Sequence, residues 1–225
     1  MHRYKGHYLD TKHPIIVENL IGIKRQIGVY QKAKKPLLFN DIKAIIKQID
    51  QSSGNSRKKQ RDKALILVGF AGGFRRSELV SITKEDVEFV KEGVKIFVKK
   101  SKSDQSGEGM IKAIPSFKYN DYCPVENLRL WMFENRNDRI FAISDKNVAL
   151  IIKKYALQAG FDDKKYAGHS LRSGFATSAA ESGAEERNIM SMTGHKTTHM
   201  VRRYIHEANL FKNNALNKIK LWKIF

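Results

Sequence analysis

A chain of 225 residues with 41% hydrophobic and 10% aromatic content can fill one core, which excludes a disordered polymer. Its 42 Lys and Arg against 23 Asp and Glu leave a net charge of +19, a surplus that points to a polyanionic partner, with nucleic acid the default. No run approaches the ~18 apolar residues of a membrane span, no apolar stretch follows Met1-His2-Arg3-Tyr4-Lys5 as in a signal peptide, and the single Cys123 fits a reducing, cytoplasmic setting.

In chain order, Asn19 to Arg25 reads as a short helix, followed by a charged linker that Pro36 stops. Asn40 is placed to cap a helix running to Asp50, with Ile42, Ile45, Ile46 and Ile49 on one face. Gln51 to Gln60 begins as a polar loop, and Asp62 to Phe70 is a more apolar helix ended by Gly72-Gly73. Three β-rich stretches follow: Val87 to Val90, Val94 to Val98 and Met110 to Ile114. They predict a small antiparallel sheet. The remainder is helical: Glu126 to Glu134, Lys146 to Ala159, Ser170 to Ser182, Glu185 to Met192, Thr198 to His206 and Asn209 to Ile219. The fold class is therefore mostly α (α+β), multihelical with a three-stranded antiparallel sheet, and it contains no internal repeat.

Six polar residues stand out along this frame. Arg75 follows the Gly-Gly break, with Glu78 three residues on, within reach of its guanidinium in a helical turn. His169 and Arg172 share a face at a helix start, behind Gly168. His195 follows Gly194, which ends the helix before it, and Tyr204 lies nine residues further on. Guanidinium forks bind phosphate oxygens in pairs and neutralise charge building at phosphorus. A phenol attacks phosphorus once neighbours help remove its proton. A lysine in the loop Lys99-Lys100-Ser101-Lys102 is placed to protonate a leaving alkoxide. A zinc site from His195, His199 and His206 is disfavoured, because neither a His-Glu-x-x-His arrangement nor a cysteine pair accompanies them.

Gly73-Phe74-Arg75-Arg76-Ser77-Glu78-Leu79, His169-Ser170-Leu171-Arg172, Thr193-Gly194-His195 and Tyr204, in this order, resemble the boxes of the tyrosine recombinase (phage integrase) family. The resemblance runs from about residue 36 to 210. It implies the DNA breaking-rejoining enzyme fold and site-specific cleavage and rejoining of double-stranded DNA through a 3′-phosphotyrosyl link to Tyr204. Arg75 and Arg172 would clamp the phosphate, His169 would help accept the phenol proton, and His195 would hydrogen-bond the phosphate. Lys102, preferred to Lys99 and Lys100 by loop position, would be the general acid, and Glu78 an orienting residue. Arg76, Lys99, Lys100, Arg202 and Arg203 are the cations expected against DNA. No metal or cofactor is implied.

Relatives act as tetramers on DNA by exchanging a C-terminal segment, and residues 209–225 are expected to serve here, with Leu210, Phe211, Leu216, Ile219 and Trp222 as the apolar face. Residues 1–35 are expected to be the remnant of an N-terminal DNA-binding domain plus linker, and residues 36–225 the catalytic domain. The rival readings are a type IB topoisomerase, which would relax supercoils without site preference, and a DNA-binding fragment that forms no covalent adduct.

Overall fold

The computed structural model describes residues 10–28, 34–99, 108–118, 120–212 and 214–218. They belong to two compact units, Met1–Ala33 and Lys34–Phe225. In the first, Pro14 starts helix α1 (Pro14–Ile27), and Gly28 ends it at φ +77°, where its N–H returns to the carbonyl of Lys24. The helix is longer than the sequence pattern of Asn19 to Arg25 suggests, and none of its residues is buried.

The second unit is built around α3 (Ser56–Ala71), which packs against α2 (Phe39–Gln51) and two helices further along the chain. Ile42, Ile45, Ile46 and Ile49 form the buried stripe of α2, as their spacing predicts. Asn40 does not cap this helix. Asp41 accepts the backbone N–H of Leu38 at 3.0 Å, which moves the start back to Phe39. Helix α3 also starts earlier than expected. Asn55 accepts the N–H of Lys58, and the basic stretch after Ser56 forms a solvated first turn before the apolar run. Deep on α3, Asp62 accepts the Tyr155 hydroxyl at 3.1 Å and is paired with Arg61, so this buried carboxylate is satisfied.

A short helix, α4 (Arg76–Ser81), leads to the sheet. Strands β1 (Val87–Val90), β2 (Gly93–Val98) and β3 (Met110–Pro115) pair antiparallel in the order β1-β2-β3, with Val90 opposite Gly93 and Val98 opposite Met110. Helices α5 (Pro124–Glu134) and α6 (Asp145–Gln158) follow, the second capped by the Ser144 hydroxyl.

The last three helices are α7 (His169–Glu181), which carries His169 and Arg172, α8 (Glu186–Thr193), and α9 (Thr198–Asn209), which carries Tyr204; His195 lies in the turn between α8 and α9. Ala176, Ala180, Ile189 and Val201 form a small second core between them, with Tyr204, Ile205 and Ala208 against it. Helix α7 is also gripped from outside. The segment before α2 crosses it, with the Leu37 N–H on the Ser170 carbonyl at 3.0 Å. A Cβ on Gly174 would lie 1.8 Å from the Leu37 carbonyl oxygen, so only glycine admits this crossing.

Among the described residues, the expected helix over 209–219 is not formed. Helix α9 ends at Asn209, and a single 3-10 turn occupies Ala215–Lys218. Asparagine side chains explain the break. Asn214 accepts the Leu216 N–H, and Asn217 donates to the carbonyls of Phe211 and Lys212, offering the backbone partners a helix would otherwise supply. Leu210, Phe211 and Leu216 are exposed. Ile219 and Trp222 lie outside the described residues.

Candidate active site

The first arginine is aimed by its own turn. Helix α3 gives way at Gly72, and Gly73 takes φ +54°, which turns the chain into Arg75. Arg75 then stands at the N-cap of α4. Its backbone N–H donates to Glu78 Oε2 at 2.9 Å, and its Nη1 donates to Oε1 at 2.5 Å. Both carboxylate oxygens of one residue therefore fix the backbone and the guanidinium of another. Glu78 is only 1% exposed, so the pairing is sheltered from solvent. This is the orienting geometry expected from the three-residue spacing.

The second arginine reaches the same turn from α7. Arg172 is 1% exposed and donates from Nη1 to the Gly73 carbonyl at 2.9 Å. Its Nη2 is buried and has no hydrogen-bond partner among the described residues. Burial, with Arg75 nearby, lowers its pKa to about 10, so it remains charged at neutral pH. Gly168 lets Arg76 lie across the start of α7, since a Cβ there would meet Arg76 Cδ at 1.9 Å.

His169 and Tyr204 meet at 3.2 Å, Nε2 to Oη. Burial, then the cations Arg172 and Arg75, push the His169 pKa below its ordinary 6.5. At neutral pH this imidazole is uncharged and able to accept a proton. The Tyr204 hydroxyl is held above its usual range by burial, with Arg172 and Arg203 pulling back toward ionisation. The break at Gly194, which is left-handed at φ +64°, is what folds α9 back so that Tyr204 faces α7. The rings of His195 and Tyr204 are 6.1 Å apart.

His195 is 6% exposed, and its tautomer can be assigned from its partners. The Thr193 hydroxyl has one proton and lies 2.6 Å from the Ile189 carbonyl, which can only accept. The 2.7 Å contact from Thr193 Oγ1 to His195 Nδ1 must then be a bond donated by the imidazole. That leaves Nε2 as the free nitrogen. Burial, followed by Arg172 and Arg75, lowers the His195 pKa to about 4, so Nε2 carries a lone pair until an anion arrives to favour its protonation. Thr193 was not singled out from sequence, although its place two residues before His195 was visible. Thr193→Val is expected to free the imidazole, leave Nδ1–H unpaired, and slow DNA strand cleavage about tenfold, since a lost bond of this kind is worth ~1.4 kcal/mol. Single-turnover cleavage kinetics would measure it, and an unchanged rate would deny Thr193 any role in setting the tautomer.

Lys99 is engaged by Glu85 and Asp86. Lys100 and Lys102 lie outside the described residues. Arg76, Arg202 and Arg203 are exposed, each beside one carboxylate: Asp145, Glu186 and Glu207. Among the described residues, no three His, Cys, Asp or Glu side chains gather as a metal ion would require. No helix among them is long and apolar enough to cross a membrane.

One buried cation beside the cluster was passed over in the sequence. Lys112 occupies an inward position of β3, in phase with Met110 and Ile114, where the alternation calls for an apolar side chain. That mismatch was the available signal. Its Nζ donates to the Gly72 carbonyl at 2.8 Å and also to the Met192 carbonyl.

Comparison with known proteins identifies the family. The phage integrase family profile matches residues 35–210. An integrase/recombinase XerD homolog of Selenomonas ruminantium is 41% identical over 230 residues, covering 96% of this chain and 67% of that protein. Tyrosine recombinase XerA of Pyrococcus horikoshii is 28% identical, covering 83% of this chain and 62% of its own length. The chain thus spans about two thirds or less of these curated relatives. Among solved structures, XerH site-specific recombinase bound to a palindromic difH substrate, in a post-cleavage complex, superposes with a TM-score of 0.67 at 19% identity, covering 80% of this chain and 51% of that one. XerA recombinase gives 0.63 at 20% identity, covering 93% and 79%. By the extent of the family match and the identity to these relatives, the chain belongs to the phage integrase family.

Proposed function

We propose that this protein is a site-specific DNA recombinase that cleaves and rejoins duplex DNA through a covalent link to Tyr204. The observation that carries the reading is the 3.2 Å contact between Tyr204 Oη and the uncharged His169, beside the two guanidiniums of Arg75 and Arg172. A phosphodiester in that space would take the buried, unpartnered Nη2 of Arg172 as a donor. His169 accepts the phenol proton as Oη forms its bond to phosphorus, and the bond from phosphorus to the 5′-oxygen breaks. The two arginines offset the charge on the equatorial oxygens. A phosphate oxygen favours protonation of His195 Nε2, which then donates to it.

The leaving 5′-oxygen needs a proton. Lys99 is held by Glu85 and Asp86, so Lys102 is the general acid we favour, ahead of Lys100. Rejoining reverses these steps, with a second 5′-hydroxyl attacking the phosphotyrosine. The net charge of +19 supports the duplex as partner, with Arg76, Arg202, Arg203, Lys99 and Lys100 as backbone contacts. We further infer self-association on DNA through residues 209–225, supported by exposed Leu210, Phe211 and Leu216 and by a fold shared with a lambda integrase whose structure is a tetramer on a Holliday junction. On this reading residues 36–225 form the catalytic domain, and residues 1–35 belong with a DNA-gripping part and its linker.

The test is a pool of duplexes, randomised on one side of a nick and labelled at the 5′ end of the cut strand. The protein should retain label through detergent, release it on proteolysis, and enrich a shared sequence in the trapped DNA. Adduct formation should fall as pH drops through the His169 pKa, which lies below the ordinary 6.5, because His169 loses its capacity to accept a proton once it is charged. No covalent label from any sequence in the pool would refute the reading, and supercoil relaxation without enrichment would favour a topoisomerase.

A further inference from the structure

We propose that Lys112 is a positioning residue that joins the turn carrying Arg75 to the turn carrying His195, so that the two halves of the phosphate site keep one spacing. The inference rests on the functional reading above and adds a residue to it. Lys112 is fully buried and, among the described residues, donates to two carbonyls. Gly72 lies three residues before Arg75, at the C-cap of α3. Met192 lies three residues before His195, in the last turn of α8. Each carbonyl belongs to a helix C-terminus, where unpaired oxygens and the helix dipole concentrate negative charge. One ammonium therefore closes two helix ends that come from distant parts of the chain.

The surroundings show why a lysine, not an apolar residue, occupies this place in the strand. Its stem runs inward between Met110 and Ile114, and its ammonium lies 4.7 Å from the centroid of the Phe74 ring. Met110 on the same face meets the His195 turn as well, with its Sδ 3.0 Å from the site of a Cβ on Gly194. Strand β3 thus touches the His195 turn at two inward positions, and one of these also reaches the Arg75 turn.

Among the charges facing Lys112, Glu78 on α4 favours the ammonium, whereas Arg172 on α7 and Arg75 oppose it. Burial dominates, and the pKa falls to about 7. A neutral amine still has two N–H groups for the two carbonyls, so the brace survives loss of the proton. Nζ is committed to two backbone carbonyls, which is why the role is positioning and not acid catalysis.

The experiment uses the full chain with Lys112→Met, which keeps the stem and removes the donors, and Lys112→Gln, which keeps an amide donor without the charge. Duplex selected from the randomised pool by the wild type is the probe. Adduct formation at saturating duplex should fall about a hundredfold in Lys112→Met while duplex affinity by anisotropy stays within about threefold, because the site is misaligned and not removed. Lys112→Gln should recover part of the rate. Cleavage by Lys112→Met within a few-fold of wild type would overturn the proposal. So would parallel loss of affinity and rate, or loss of the folded state in both variants, either of which assigns Lys112 to stability alone. Failure of the wild type to form any adduct would instead fall on the functional reading.

Discussion

A Tyr204→Phe protein is expected to melt like the wild type, bind duplex DNA with nearly unchanged affinity, and form no detectable covalent adduct, a loss of roughly ten-thousandfold or more. The substitution removes one oxygen. The ring keeps its place against the small core of Ala176, Ala180, Ile189 and Val201, so packing is preserved. The hydroxyl bonds only with His169 among the described residues, and that bond lies at the half-open edge of the site, where water can replace it. Detergent-resistant label on a nicked duplex is the measurement. Label that persists in Tyr204→Phe at the wild-type level would show that another group attacks phosphorus, and the assignment of the nucleophile would fail. Because His169 is the partner of that hydroxyl, the Phe variant should also lose any dependence of its residual reactions on His169 ionisation.

Arg172→Met is expected to slow adduct formation about a thousandfold, equivalent to ~4 kcal/mol of lost transition-state stabilisation, while leaving the melting temperature unchanged or raised. The two halves of this expectation have one origin. The guanidinium is buried with Nη2 unpartnered among the described residues, and an unmade bond of that kind costs about 1–3 kcal/mol in the resting protein. Its charge is further opposed by Arg75. Methionine fills similar space without either cost, and loses the bond to the Gly73 carbonyl and the attraction of Glu78. The group that burdens the fold is thus the group best prepared for a phosphate oxygen. Calorimetry beside single-turnover kinetics tests both halves. A melting temperature lowered by ten degrees or so would mean that Arg172 serves mainly as the strut between α7 and the Gly73 turn.

What the sequence revealed and what it hid follow from the range of the interactions involved. The isoleucine stripe of α2 and the alternation of β2 are periodic and local, and both elements lie where the pattern puts them. The first turn of α3 was hidden because Arg57, Lys58 and Lys59 carry no apolar stripe, and the capping bond of Asn55 alone identifies it. The end of α9 was hidden for the opposite reason. Leu210, Phe211 and Leu216 continue a helical rhythm, but the side chains of Asn214 and Asn217 take over the backbone bonds. In the site, Arg75, Glu78, His169, Arg172, His195 and Tyr204 were recognisable from their order, and the fold brings them together. The Lys112 brace was not, because its two acceptors lie 40 and 80 residues away along the chain.

Helix α9 docks on α7 of the same chain, with Val201 fully buried, and delivers Tyr204 to its own His169. This geometry has a consequence for the rate law. Once every duplex site is occupied, each bound chain already holds its nucleophile, so adduct formation is first order in complex and insensitive to adding more protein. Any dependence on protein concentration beyond saturation must then arise in later steps, where two bound duplexes are brought together and strands change partners. On the proposed reading, cleavage and exchange would be separable by molecularity, one chain sufficing for the first and the meeting of two bound duplexes being needed for the second.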